Sequence, residues 1–255
     1  MRTMRKNILI TGASSGLGRQ MAREFAARGA SLALCARRLE RLEELKSELT
    51  GRHPGITVAV RTLDVTDTAA VFDVVKAFRS DLGSLDRVVV NAGLGKGQPL
   101  GSGRFDANLQ TAQTNFIGAL AQIEAAMEVF REQRSGHLVI ISSVSALRGL
   151  PRHLTTYAAT KAGVAALGEG LRAELMRGKA GDIVVSTIYP GYISSEMNEK
   201  LKHKPAFMVS TEQGTRAIVA AIEKEKASAR VPAWPWRPLG AFLKVAPMSV
   251  VSRFG

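Results

Sequence analysis

The chain of 255 residues has a single cysteine, Cys35. One thiol cannot form an internal disulfide, so a secreted disulfide scaffold is excluded and a reducing cytoplasm is the expected location. No uninterrupted apolar run approaches the roughly 18 to 20 residues that a membrane-spanning helix needs. The apolar run after the basic residues 1–6 is too short for a secretory signal. We therefore expect neither export nor membrane insertion.

Acidic residues are few relative to basic ones: 22 Asp and Glu face 35 Lys and Arg, a net charge of +13. Such an excess raises the question of a nucleic acid, an anionic lipid or an acidic ligand as partner. The sequence has no zinc finger, RNA-binding aromatic signature or basic heptad helix, so nucleic acid is not expected. The four histidines lack ligand spacing, and no metal is expected either.

Short apolar runs alternate with helical patterns along most of the chain, and they predict strands near residues 7–10, 31–36, 58–65, 85–90, 137–141 and 183–188. Residues 88–90 and 139–141 are apolar at consecutive positions, which is typical of strands buried on both faces of a parallel sheet. Helices must then cover both faces. The pattern predicts a single-domain, doubly wound parallel α/β sheet, the Rossmann fold, over residues 1–227, with a C-terminal extension at 228–255.

A glycine-rich turn, TGASSGLG at residues 11–18, lies between the first predicted strand and the first predicted helix. Gly12 permits a sharp exit from the strand, and Gly16 lets the backbone approach a pyrophosphate at the helix N-terminus. Gly18 lets helix and strand pack closely. The spacing differs from the general G-x-G-x-x-G fingerprint. Alone, these glycines are equally compatible with a plain turn.

Tyr157 and Lys161 stand one helical turn apart in the predicted helix 155–176, so their side chains share one face. A neighbouring ammonium favours the phenolate and would move the tyrosine pKa toward the range of a general acid–base. The alternative is an ordinary amphipathic helix edge.

Four ordered motifs together resemble the short-chain dehydrogenase/reductase family over roughly residues 5–200. They are the T-G-x-x-x-G-x-G turn at 11–18, Asn-Ala-Gly at 91–93, Tyr-x-x-x-Lys at 157–161 and Pro-Gly at 190–191, each at its expected strand or helix boundary. The resemblance implies an oxidoreductase that transfers hydride between a nicotinamide and a carbonyl or secondary alcohol. A non-catalytic cofactor-binding sensor or a membrane-associated regulatory protein is the alternative.

The resemblance also implies catalytic roles for Asn115, Ser143, Tyr157 and Lys161. Tyr157 would exchange a proton with the substrate oxygen, and Lys161 would hold the nicotinamide ribose. Ser143 would orient the carbonyl, although Ser142 and Ser145 compete for this role and Ser143 lies 14 residues before Tyr157 instead of the commoner 13. Asn115 would anchor a water that leads protons to Lys161.

The end of the second predicted strand decides the cofactor, because an acid there binds a ribose 2′-hydroxyl and an arginine binds a 2′-phosphate. Ala36 occupies the family's acidic position and Arg37 follows, which predicts NADP(H). The alternative is that Arg37 and Arg38 only decorate a solvent-facing helix. The residues implied to bind the cofactor are Gly12, Ser14, Ser15, Gly16, Leu17, Gly18, Arg37, Arg38, Asp64, Val65, Asn91, Ala92, Gly93, Tyr157, Lys161, Pro190, Gly191, Ile193 and Ser195. Asp64 would equally suit a helix-capping turn.

The predicted substrate walls at 94–105, 147–154 and 192–201 are mostly apolar, which favours a lipophilic ketone or secondary alcohol. After Ala227 the chain has four basic residues and no acid, together with Trp234 and Trp236. This segment resembles an interfacial membrane anchor, or it packs on its own domain or on a partner subunit. Family members commonly pair through the Ala/Gly-rich helix that carries Tyr157, so a homodimer or homotetramer is expected.

Overall fold

The computed structural model describes residues 5–177, 181–196 and 207–252. Its sheet has seven parallel strands in the order β3-β2-β1-β4-β5-β6-β7. The strands are β1 Asn7–Thr11, β2 Ser31–Ala36, β3 Val58–Thr62, β4 Arg87–Val90, β5 Ser135–Ile141, β6 Asp182–Pro190 and β7 Ser228–Val231. The predicted doubly wound parallel sheet is confirmed.

Helices connect successive strands and cover both faces of the sheet. They are α1 Gly16–Ala26, α2 Leu39–Arg52, α3 Thr68–Leu82, α4 Phe105–Ala112, α5 Gly118–Gln133, α6 Leu154–Arg177, α7 Thr211–Glu223, α8 Ala233–Val245 and α9 Met248–Val251. A π-helical segment, Gln113–Ile117, joins α4 to α5, and a 3-10 turn, Val144–Leu147, follows β5. In the ranges described, no helix is both long enough and apolar enough to cross a bilayer.

Two hydrophobic cores lie on opposite sides of the sheet, because alternate residues of each strand point to opposite faces. In β1, Ile8 and Ile10 belong to the core under α1, α2 and α7, whereas Leu9 belongs to the core under α3 and α5. Both cores are closed by fully buried aromatics, Phe25 on one side and Phe78 on the other. This double burial explains the consecutive apolar residues of the strands.

The structure differs from the sequence prediction at three places. The boundary predicted after residue 227 does not separate the sheet from an extension, because β7 begins at Ser228 and pairs with β6. The short strand Ser-Ala-Arg-Val has too few apolar residues to be recognised by pattern. The single helix predicted over 105–133 contains the π-helical segment, and the third strand ends at Thr62, short of residue 65.

Candidate active site

A cleft of about 380 Å³ opens at the carboxyl ends of the central strands. Ligands bind at this edge in open α/β sheets, because the loops after the strands meet there. Every residue assigned to the cofactor from the sequence lines the cleft, and so does Ser143. Asn115 is not among the lining residues, although its neighbour Thr114 is. The fold thus brings positions between residues 12 and 195 into one cavity.

The glycine-rich loop forms a narrow cradle at one end of the cleft. Gly12 and Gly16 have φ values of +65° and +51°, in the left-handed region that favours glycine. A Cβ atom added to Gly18 would lie 2.4 Å from the carbonyl oxygen of Gly12, so no side chain fits between loop and helix. Ser15 at the N-cap of α1 makes no side-chain capping bond, and the first turn has no acid. The first amides of α1 therefore suit an anionic group.

Hydrogen bonds tie the segment after β4 to this cradle. The Thr11 hydroxyl oxygen accepts from the backbone N–H groups of Asn91 and Ala92, at 3.0 Å each. The Asn91 side-chain amide donates to the Thr11 carbonyl at 2.8 Å. These bonds keep the ends of β1 and β4 in one rigid floor beneath the cleft.

Tyr157 and Lys161 lie on α6 and face the cleft together with Ser143. The Lys161 Nζ atom is 5.9 Å from the centroid of the Tyr157 ring and donates to the Ile141 carbonyl at 2.9 Å. Ser142 donates its hydroxyl to the Lys161 carbonyl at 2.8 Å, so this hydroxyl is committed to the backbone. Ser143 Oγ accepts from the Ser145 N–H at 3.1 Å and interacts with Tyr157. This arrangement favours Ser143 over Ser142 as the serine that acts together with Tyr157 and Lys161.

Burial dominates the ionisation of this group. It lowers the pKa of Lys161 to about 8. Burial also raises the pKa of Tyr157; hydrogen bonding to Ser143 opposes this shift and Tyr192 adds to it. The direction is opposite to the expectation that Lys161 lowers the tyrosine pKa, because removal of the phenolate from water dominates. Tyr157 remains a neutral phenol near neutral pH.

Asn115 lies behind the cleft wall, in the π-helical segment, and is almost fully buried. Its amide nitrogen donates to the Leu94 carbonyl and its amide oxygen accepts from the Leu94 N–H, both at 2.8 Å. A Cβ atom on Gly93 would lie 3.2 Å from the Asn115 amide oxygen and 3.4 Å from Lys161 Nζ. Asn115 thus holds the loop that passes beside Lys161.

The other end of the cleft carries Arg37, Arg38 and Asp64. Arg37 is exposed, and Arg38 donates to the Ser14 hydroxyl oxygen from Nε and Nη2, each at 3.3 Å. Asp64 accepts from the Thr66 N–H at 3.0 Å and from its hydroxyl at 2.8 Å. Burial opposes ionisation of Asp64, but the bonds from Thr66 and the charge of Arg37 prevail and lower its pKa. Asp64 therefore both accepts hydrogen bonds in the turn before α3 and lines the cleft.

Helix α8 supports the substrate side of the cleft, in agreement with the alternative that the C-terminal segment packs on its own domain. Trp236 is only 3% exposed, and its ring meets that of Tyr192 edge-on with centroids 5.3 Å apart. A Cβ atom on Gly191 would lie 1.9 Å from the indole nitrogen. The sequence left open whether this segment is a membrane anchor or packs on its own domain or on a partner subunit. Trp236 packs on the domain, whereas Trp234 is 77% exposed. No local pattern distinguishes the two tryptophans. His153 and Glu196 also line the cleft, and both lie in segments predicted as substrate walls, although neither was singled out by residue.

Comparisons with known proteins agree with this geometry. The family profile of the short chain dehydrogenases matches residues 6–206. An uncharacterized oxidoreductase of Mycobacterium tuberculosis is 51% identical over 250 residues, which cover 98% of this chain and 97% of that protein.

Two solved structures are similar across most of the chain. A short-chain dehydrogenase from Sphingobium yanoikuyae in complex with NADPH has a TM-score of 0.81 and 26% identity, covering 93% of this chain and 92% of that one. A short chain dehydrogenase/reductase from Burkholderia phymatum in complex with NAD has a TM-score of 0.85 at 20% identity, covering 98% and 96%, and shows the fold alone. With its parallel sheet, its cleft and a profile match over most of its length, this chain belongs to the short-chain dehydrogenase/reductase family of oxidoreductases.

Proposed function

We propose that this protein is an NADP(H)-dependent oxidoreductase that interconverts a lipophilic carbonyl compound and its secondary alcohol, with Tyr157 as general acid–base. The observation that carries the proposal is the alignment of three features along one cleft. These are the glycine cradle, the arginines after β2, and the group of Ser143, Tyr157 and Lys161.

The residues of the cleft fit a dinucleotide phosphate cofactor. Gly12 and Gly18 have no side chains where the loop lies closest to α1 and to the segment after β4. The backbone amides at the start of α1 suit a pyrophosphate. Ala36 offers no carboxylate to a ribose 2′-hydroxyl, whereas Arg37 and Arg38 offer charge to a 2′-phosphate. The Sphingobium relative binds NADPH. Asp64 and Val65 would flank the adenine, and Asn91 to Gly93, Pro190, Gly191, Ile193 and Ser195 would enclose the nicotinamide half.

The protein's own residues would manage the proton and the orientation of the substrate. A bound nicotinamide supplies or accepts the hydride. Tyr157, kept neutral by its raised pKa, would give its hydroxyl proton to the carbonyl oxygen, while Ser143 donates a second hydrogen bond to the same oxygen. Lys161 would hold the ribose and stabilise the phenolate that forms. Asn115 would support this step through the Leu94 loop.

The walls beside Tyr157 indicate the substrate class. Leu94, Leu154, Tyr192 and Ile193 line the cleft there. Apolar walls with few polar groups favour a lipophilic ketone over a charged substrate.

The test is an NADPH-oxidation screen over ketones of graded chain length, with Tyr157→Phe as the matched variant. We expect turnover that rises with chain length and falls about 10²- to 10⁴-fold in Tyr157→Phe, because the proton donor is lost. NADPH binding, followed by fluorescence, should be retained by the variant. Binding without oxidation by any ketone would instead support the sensor alternative.

We further propose that the outer side of α8 contacts anionic membrane surfaces. Trp234 and Val245 are 77% and 81% exposed there, beside the exposed cations Arg237 and Lys244. Assembly as a homodimer or homotetramer through α6, and a cytoplasmic location, stay predictions from the family and the lone cysteine.

A further inference from the structure

One carboxylate bridges two arginines at the cofactor end of the cleft. Glu196 Oε2 is 3.3 Å from Nη1 of Arg38, and Glu196 Oε1 is 2.7 Å from Nη1 of Arg41. Arg38 is the N-cap of α2 and Arg41 lies in the first turn, and both guanidiniums reach the same carboxylate. Each oxygen of the carboxylate therefore serves a different guanidinium.

Arg38 lines the cofactor cleft, and Arg41 is joined to the cleft through Glu196. Arg38 simultaneously donates to Ser14, a buried residue of the glycine-rich loop. Glu196 itself lines the cleft, directly after Ser195. Its side chain is about half exposed, so water screens the pair and an incoming anion can reach it.

Glu196 carries its negative charge at neutral pH. Desolvation is the largest single contribution and opposes this state, but the hydrogen bonds and charges of Arg41 and Arg38 together outweigh it and hold the pKa of the carboxyl below its ordinary value. The arginines thus already hold an anion when no phosphate is bound.

We propose that Glu196 competes with the 2′-phosphate of NADP(H) for Arg38 and Arg41, and that Arg41 is a further cation of the phosphate site. This inference rests on the proposed function. A phosphate monoester carries about −1.5 to −2 charges and three acceptor oxygens, so it pairs with two guanidiniums more strongly than one carboxylate does. The two anions repel each other and cannot both keep these partners.

The competition affects the two nicotinamide cofactors differently. NADPH must displace Glu196 and therefore binds more weakly than the arginines alone would allow. NADH has no 2′-phosphate and leaves the ion pairs in place. Glu196 is thus a specificity-determining residue that reduces the discrimination in favour of NADPH.

The experiment is a fluorescence titration of the full-length protein with NADPH and with NADH, repeated for Glu196→Gln. The variant should lower the Kd for NADPH about two- to five-fold, the range expected for exposed ion pairs, and leave the Kd for NADH unchanged. The fragments 2′,5′-ADP and 5′-AMP should show the same contrast as competitors. Glu40→Gln is the control, because it removes an equal charge from the first turn of α2.

Arg41→Met provides the second arm. It should weaken NADPH binding about ten-fold, because one charge-assisted contact is lost, and leave NADH binding unchanged. In the double variant, Glu196→Gln should strengthen NADPH binding less than it does alone.

If Glu196→Gln leaves the preference for NADPH unchanged or weakens it, this inference is overturned and the proposed function still stands. An equal shift in Glu40→Gln would also overturn it, since general charge would then explain the effect. Equal binding of NADPH and NADH by the unaltered protein would overturn the cofactor assignment itself, and this inference with it.

Discussion

The buried ammonium of Lys161 shows how a single residue is constrained by its surroundings. Lys161 is 6% exposed, and its described polar contact is a hydrogen bond to the Ile141 carbonyl. One neutral carbonyl compensates poorly for the lost hydration of a charge. The lysine therefore loses its proton at a pH well below that of an exposed lysine.

This burial predicts a pH dependence of carbonyl reduction. The charged form of Lys161 exists below its pKa of about 8, and Tyr157, whose pKa is raised, stays protonated over the same range. The kcat/KM for ketone reduction should therefore be flat at lower pH and fall as pH rises through about 8. Lys161→Arg keeps its charge and should move the falling limb to higher pH, at reduced activity. A flat profile for the unaltered protein through this range would contradict the argument.

Which residues of the site could be predicted depended on whether a local motif marks them. Tyr157, Lys161 and the glycines stand in short motifs that together, in their order along the chain, resemble those of the family. Glu196 reaches Arg38 across 158 positions, and Trp236 of α8 reaches Gly191 after β6. Such contacts depend on the path of the chain, which a local pattern does not contain.

At the scale of elements, the close contact between α1 and the glycine-rich loop depends on a glycine in the helix. Gly18 lies in the first turn of α1, where a Cβ atom would overlap the Gly12 carbonyl. Gly170 lies in the interior of α6 and has no described heavy atom within 4 Å of the added Cβ position. Gly18 and Gly170 therefore allow the same substitution to be compared at a crowded and at an open position of a helix.

Alanine substitutions at these glycines should have opposite effects on the free energy of unfolding. Gly18→Ala should lower it by about 1–3 kcal/mol through overpacking, and weaken cofactor binding. Gly170→Ala should raise it by about 0.5–1 kcal/mol, because alanine loses less backbone entropy in a helix. Urea denaturation measures both changes. If Gly18→Ala leaves the free energy of unfolding unchanged, the loop can move to accommodate the methyl group and the overpacking argument is wrong.

The long strands and helices were predictable from periodicity because each buries a broad apolar surface. The alternation of the first six strands with helices, and their consecutive apolar residues, predicted a doubly wound parallel sheet. β7 was missed because it is a four-residue strand at the sheet edge in which only Val231 is buried. The π-helical segment was missed because five residues are too few to reveal a local change of helical period in the pattern of apolar positions.

At the scale of the whole molecule, the excess positive charge and the exposed side of α8 predict binding to anionic vesicles. The protein should co-sediment with vesicles containing phosphatidylserine at low salt and dissociate as salt rises. Replacing both Trp234 and Val245 with serine should weaken binding, because it removes exposed apolar area from α8. Met176→Ser is the control, since Met176 is 87% exposed but lies on α6. Absence of co-sedimentation at low salt would contradict the membrane proposal.

The π-helical segment between α4 and α5 has a consequence for how the molecule tolerates insertions and deletions. One residue in an α-helix corresponds to a rotation of about 100°. Deleting a single residue within Gln113–Ile117 would convert the segment to regular helix and turn α4 by that angle relative to α5. Either Asn115 would lose its hydrogen bond to the Leu94 carbonyl, or α4 would rotate and bring Phe105 toward the rest of the protein. Length at this point of the chain is therefore as restricted as residue identity.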